Sequence, residues 1–110
     1  MEVKSQETTS LFPEIQSWHN SNGLPIKIVG PCSAESTDQV LQTASEIAQA
    51  FPDAIFRAGI WKPRTRPGKF EGVGEAGLKW LVEVQQQTKL KVITEVATPA
   101  HLEACMKAGI

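Results

Sequence analysis

Two rhythms of apolar positions alternate along this chain. Residues 26–29 are a short β-branched run closed by Gly30-Pro31, the pattern of a buried strand. Ser36 followed by Gln39 has the form of a capping box. Val40, Leu41, Ala44, Ile47, Ala48 and Phe51 then recur at helical spacing until Pro52-Asp53 stops the helix. Residues 54–58 are a second apolar strand interrupted only by Arg57, and a Pro/Gly-rich loop follows over 62–74. Leu78, Leu81 and Val82 mark a second helix ending near Gln87-Thr88, and residues 91–96 a third strand. Thr98-Pro99 predicts an N-cap with proline in the first helical position. Leu102, Cys105 and Met106 predict an inward apolar face on that third helix, and Gly109 its stop. Residues 1–25 show no clean period and carry the turn formers Pro13, Asn20, Ser21, Asn22 and Gly23. They form a leader segment, with a brief helix predicted near 11–18.

The order is strand then helix, three times over. Short apolar strands alternating with amphipathic helices predict an α/β fold with parallel pairing through right-handed crossovers. Such units build either a doubly wound sheet or a (β/α)8 barrel. The chain stops at Ile110, just where a fourth strand is expected. Three units cannot close a barrel, which takes about 250 residues. The expectation is therefore a fragment, 26–110 being part of a barrel domain, rather than a small open sheet with exposed edges.

Composition narrows the classes. The chain has 110 residues, 41% hydrophobic and 21% charged, ordinary for a globular protein. A net charge of −1 argues against a general nucleic-acid binder. No run approaches the roughly 18 apolar residues of a membrane span, so no membrane partner is expected. The start is polar and acidic, without a signal-peptide layout. Two cysteines are too few for a disulfide framework, so a reducing cytoplasm is the expected home.

In parallel α/β folds, ligands bind at the carboxyl ends of the strands. Gly30-Pro31-Cys32-Ser33-Ala34-Glu35-Ser36 follows the first strand. The second strand leads from Arg57 to Lys62-Pro63-Arg64-Thr65-Arg66-Pro67, and the third ends in Thr94-Glu95-Val96. Arg57, Lys62, Arg64, Arg66 and Lys69 lie in one stretch with no acid among them. Such a cluster repels itself unless an anion binds, and arginine suits phosphate or carboxylate oxygens. A phosphorylated small molecule fits better than a polymer, although a solvated basic loop has the same composition. Arg57, inside an apolar strand, is costly unless it faces a polar cavity. Cys32 could be a metal ligand, a nucleophile or a small apolar residue; no Cys-x-x-Cys or His-x-x-x-His partner lies nearby. Cys105 reads as core. Glu95 could be an acid–base group, an orienter of a cation, or the partner of a nearby arginine. Trp61 either walls the pocket or packs under the loop. His19 and His101 read as exposed and structural. Gly72 and Gly74 resemble a phosphate-cradling loop only weakly.

These segments resemble a known family. Gly-Pro-Cys-Ser-Ala-Glu-Ser at 30–36 is similar to the first-strand motif of the type I 3-deoxy-D-arabino-heptulosonate-7-phosphate (DAHP) synthases. Residues 56–65, with Lys62-Pro63-Arg64-Thr65 at their core, resemble the second. Phe70-Glu71-Gly72-Val73-Gly74, Gly77-Leu78-Lys79 and Thr94-Glu95-Val96 resemble the continuation in the I-beta branch. The resemblance spans about 26–110. It implies a (β/α)8 barrel of the aldolase type, and a transferase that condenses phosphoenolpyruvate with erythrose 4-phosphate at the head of the shikimate pathway of aromatic amino-acid biosynthesis. It implies Cys32 as thiolate ligand to a divalent metal (Mn, Fe, Co or Zn). Arg57 and Lys62 would bind phosphoenolpyruvate, Arg64 and Thr65 would hold the phosphate end of erythrose 4-phosphate, and Lys62 and Glu95 are the expected catalytic pair. The full-length relative would be a homo-oligomer. The family's other metal ligands, a His, a Glu and an Asp, come from later strands, so these 110 residues are expected to be inactive alone. The leader, at about 25 residues, is expected to be too short for a full regulatory or chorismate mutase domain at this end; in some relatives a mutase is fused at the other end. The octulosonate-phosphate and sialic-acid synthases share parts of the first motif and are the alternative, as is a non-catalytic sugar-phosphate-binding module.

Overall fold

The computed structural model describes Trp18, His19, residues 23–66 and residues 68–110. The brief helix predicted at 11–18 falls, except for Trp18, outside the described residues, as does Pro67. Six elements follow in strict alternation: β1 (Ile28–Val29), α1 (Thr37–Ala50), β2 (Ile55–Arg57), α2 (Ala76–Thr88), β3 (Lys91–Ile93) and α3 (Pro99–Ala108). The strands form a parallel sheet in the order β1-β2-β3. Among the described residues no helix is long and apolar enough to cross a membrane.

Register explains which side chains share a face. Val29 pairs with Phe56 and Phe56 with Val92. Phe56, Ala58 and Val92 face the helices and pack with Val40, Ala44, Leu78, Leu81 and Val84. Among the described residues Phe56 is the largest wholly buried side chain; burying a phenylalanine contributes roughly 1.5–3 kcal/mol. Ile28, Ile55 and Lys91 pair on the opposite face, as do Arg57 and Ile93 one layer up. Ile28 is 53% exposed there.

The helix starts follow the predicted caps, with one addition. Ser36 accepts from the Gln39 N–H at 3.1 Å, and the Gln39 carboxamide oxygen accepts from the Glu35 N–H at 2.7 Å. The N3 side chain thus returns to the residue before the cap, so two orphan donors are satisfied. At α3, Thr98 accepts from the His101 N–H, and His101 Nδ1 accepts from the Ala97 N–H, both at 3.1 Å. Histidine there does what Gln39 does at α1. Gly109 closes α3 in the left-handed region at φ 86°.

Several expectations change, and the second strand, expected over 54–58, is Ile55–Arg57. The third strand ends at Ile93, because Thr94 leaves the ladder and its hydroxyl donates to the Ala58 carbonyl at 2.8 Å. The first begins at Ile28, although the Ile55 N–H still bonds the Lys27 carbonyl. On α3 only Cys105 is buried; Leu102 and Met106 are 51% and 70% exposed. Helical period alone cannot say which neighbour a face meets, and α2 reaches only the Cys105 side. His19, expected to be exposed, is half-buried, and its Nε2 donates to the Asp53 carbonyl at 2.6 Å.

The loop between β2 and α2 is folded back on itself. Lys62 N–H donates to the Glu71 carbonyl at 2.7 Å and Gly74 N–H to the Ile60 carbonyl at 2.8 Å. Gly72 sits between them at φ 97°, and a Cβ there would overlap the Ile60 carbonyl oxygen. Gly74, at φ 73°, has open space around it. Gly72→Ala should therefore cost about 1–3 kcal/mol and lower the urea midpoint more than Gly74→Ala does. Equal midpoints for the two variants would contradict this account of the loop.

Candidate active site at the carboxyl ends of the strands

Beyond β1 and β2 the parallel pairing continues for one more step. Gly59 N–H donates to the Cys32 carbonyl at 3.2 Å, and Ala34 N–H to the Gly59 carbonyl at 2.9 Å. Ser33 bridges Gly59 in the same parallel sense. These bonds fix Cys32 beside the segment that leads to Lys62. A Cβ on Gly59 would lie 2.9 Å from Lys62 Nζ and 3.0 Å from its Cε. The lysine stem therefore crosses the bare glycine and reaches back to the first strand.

Lys62 Nζ lies 3.0 Å from Cys32 Sγ and 3.9 Å from a Glu95 carboxylate oxygen. The lysine side chain is only 10% exposed, whereas Glu95 is 66% exposed. A nearly buried ammonium needs negative charge beside it. Its hydrogen bond to the sulfur, then its charge, hold the Cys32 thiol below the usual thiol range, and Arg57 helps; burial and Glu95 oppose. The ion pair with so exposed a carboxylate contributes little stability, so Glu95 is free to turn toward another partner. Glu95 thus meets a lysine rather than the arginine considered as its partner.

Arg57 lies half-buried on the sheet face opposite the helices, its Nε making a long 3.4 Å contact to the Gly30 carbonyl. With Ile28, Gly59, Ile93, Thr94 and Glu95 it lines a hollow of about 260 Å³. Arg64 and Thr65 lie farther out, with Arg66, Lys69 and Phe70 around an open hollow of about 480 Å³. Arg64 Nε donates to the Phe70 carbonyl at 2.8 Å, which aims the guanidinium and leaves its other donors open. The structure thus brings Cys32, Lys62 and Glu95 into contact, with Arg57 in the adjoining hollow and Arg64 and Thr65 on the flanking loop. Among the described residues no three His, Cys, Asp or Glu side chains group as a metal cage. Cys32 is exposed and Cys105 buried, both as free thiols; burial pushes the Cys105 thiol up.

Two residues at this edge escaped sequence reasoning. Gly59 received no reading of its own, and nothing local signals that a lysine side chain crosses it. His101, expected to be exposed, is half-buried and stacks on Trp61 with ring centroids 4.0 Å apart and planes 7° apart. Its place three residues after the Thr98 cap was the available signal.

The sign of the Cys32 shift gives a test. A lowered pKa raises the thiolate fraction near neutral pH, and thiolate is the nucleophile. Lys62→Ala removes the main cause, so iodoacetamide should alkylate Cys32 several-fold more slowly at pH 7. The difference should vanish at alkaline pH, where both thiols are ionised. Equal rates at pH 7 would overturn the assignment.

Known proteins resemble this chain in sequence and in fold. The model of the DAHP synthetase I family matches residues 8–108. The chain is 38% identical over 74 residues to a phospho-2-dehydro-3-deoxyheptonate aldolase of Thermotoga maritima, covering 67% of this chain and 22% of that protein. It is 30% identical over 78 residues to a 2-dehydro-3-deoxyphosphooctonate aldolase of Nitratidesulfovibrio vulgaris, covering 66% of this chain and 29% of the other. The crystal structure of the DAHP synthase of Thermotoga maritima superposes with a TM-score of 0.65 at 30% identity, over 76% of this chain and 23% of that one. The chain therefore spans less than a third of the length of these relatives. With the family model matched over nearly all of its residues, the chain belongs to the DAHP synthetase I family.

Proposed function

We propose that residues 26–110 supply the first three βα units of a (β/α)8 barrel that makes DAHP from phosphoenolpyruvate, erythrose 4-phosphate and water, releasing phosphate. The observation that carries this reading is the Lys62 ammonium, held between Cys32 and Glu95 at the carboxyl edge and followed directly by Arg64 and Thr65. Carboxyl edges are where such barrels place their chemistry. The leader, 1–25, would precede the barrel, and the full-length protein would work as a cytoplasmic homo-oligomer.

Both substrates are phosphorylated anions, and bringing them together costs repulsion. Arg57 and Lys62 would bind phosphoenolpyruvate in the 260 Å³ hollow and at its rim. Arg64 and Thr65 would hold the phosphate end of erythrose 4-phosphate. C3 of phosphoenolpyruvate bonds to the aldehyde carbon, water adds at C2, and the C2–oxygen bond to phosphate breaks. The cations screen charge and fix the approach of the two reactants. Glu95, exposed and only weakly paired, can orient Lys62 or exchange a proton at the rim.

A divalent metal fits one side chain present. Cys32 offers an accessible sulfur biased toward thiolate, the form that ligates Mn, Fe, Co or Zn. The remaining ligands would come from outside the described residues. Such an ion, when bound, would polarise the aldehyde oxygen as a Lewis acid.

Four predictions test the reading. The complete reading frame, with Mn, should turn over phosphoenolpyruvate with erythrose 4-phosphate and not with arabinose 5-phosphate. The reverse preference would favour the octulosonate branch, which the Nitratidesulfovibrio match keeps in view. Cys32→Ser should sharply weaken metal binding, and Zn should protect wild-type Cys32 from alkylation; unchanged metal affinity would argue against a ligand. Lys62→Ala should lower kcat/KM by at least about 100-fold while barely moving the urea midpoint. The 110-residue chain alone should show no turnover above background.

A further inference from the structure

The stacked pair behind the site touches no proposed substrate position, yet it joins the two segments that carry the site. Trp61 immediately precedes Lys62. Its indole lies flat on the His101 ring, with centroids 4.0 Å apart and planes 7° apart. His101 also accepts at Nδ1 from the Ala97 N–H at 3.1 Å, and Ala97 is two residues beyond Glu95. Accepting there requires a lone pair on Nδ1, so the ring proton sits on Nε2. The first turn of α3 anchors the ring, since the His101 N–H donates to Thr98 Oγ1.

One imidazole thus fixes two things at once. Its face sets the depth of the Trp61-Lys62 backbone, and its edge sets the loop that presents Glu95. The opposite side of the 60–62 segment is held by the hydrogen bonds to Glu71 and Gly74. The stack is the matching restraint on the α3 side. From this geometry we propose that His101 is a positioning residue. It keeps the Lys62 ammonium on Cys32 and Glu95 by clamping Trp61 and the Ala97 backbone together. The benefit for the reaction rests on the function proposed above; the strut itself does not.

The two arms of the strut can be separated. His101→Ala removes both. His101→Phe keeps a flat partner for Trp61 and loses the acceptor. His101→Asn keeps a short acceptor and loses the plate. The first readout is alkylation of Cys32 by iodoacetamide at pH 7 in the complete protein freed of metal, followed on the Cys32 peptide, with circular dichroism confirming the fold. His101→Ala should slow the reaction by about threefold or more, because the Lys62 ammonium no longer stays on the sulfur it activates, with Phe and Asn in between. The second readout is kcat/KM for phosphoenolpyruvate in the complete protein, expected to fall in the same order with kcat carrying most of the loss.

A folded His101→Ala with the wild-type alkylation rate would overturn the proposal. Should His101→Ala not fold, Phe and Asn decide: intermediate rates support the strut, and wild-type rates in both overturn it. If alkylation slows as expected while the wild-type complete protein shows no turnover, the strut stands and the proposed reaction falls.

Discussion

The contact between Lys62 Nζ and Cys32 Sγ, at 3.0 Å, is the interaction on which the carboxyl edge depends. A lysine this little exposed is unstable as an isolated cation, and an ordinary thiol is mostly neutral at pH 7. Each removes the other's difficulty: the ammonium favours thiolate, and thiolate makes the sheltered ammonium tolerable. The contact requires three backbone conditions. Parallel pairing must continue past the strand ends, so that Cys32 and Ala34 clasp Gly59. Position 59 must lack a Cβ, so that the lysine stem can cross it. The chain after Ile60 must be pinned, which Glu71 and Gly74 do from one side and the Trp61–His101 stack does from the other.

Much of this was legible in the sequence, for identifiable reasons. Helix starts were legible because capping is local: Ser36 with Gln39 and Thr98 with Pro99 act within one turn. The parallel order followed from alternation of short strands and amphipathic helices. That Cys32, Arg57 and Glu95 share one end followed from parallel pairing itself. What stayed hidden depends on partners distant in sequence. Leu102 and Met106 have helical spacing, yet the face they occupy is exposed. The Trp61–His101 stack joins positions with no common period. Thr94 looked like strand because its β propensity is high, but its hydroxyl replaced a ladder bond.

The relatives sharpen what can be said of chemistry without widening it. Family membership rests on a match over residues 8–108, whereas the chain covers 22% of the Thermotoga protein. The residues gathered at this edge are three cations, Arg57, Lys62 and Arg64, and one sulfur. Cations alone bind anions of many kinds. The hydrogen bond from Arg64 Nε to the Phe70 carbonyl orients one of these cations. It fixes one guanidinium edge and presents the other, which suits a tetrahedral phosphate better than a diffuse charge.

The sheet face away from the helices carries a gradient along the strands. Its first layer pairs Ile28 with Ile55 and Lys91, the second pairs Arg57 with Ile93, and Cys32, Lys62 and Glu95 lie beyond. Lys91 does not break the gradient, because its ammonium reaches over the Trp18 ring, 6.0 Å from the centroid. Apolar side chains thus floor the hollow and charge is held at its rim. If this face lines a closed barrel, as proposed, the isoleucines exclude water from below while the cations meet the ligand from above. Low polarity beneath Arg57 strengthens its attraction for an anion, yet Arg57 is only half-buried and avoids the full cost of desolvation. A position one layer deeper would bury the guanidinium among isoleucines; one layer higher would surrender it to solvent. Its register opposite Ile93 is therefore a compromise between field strength and solvation, and parallel pairing with β3 sets it.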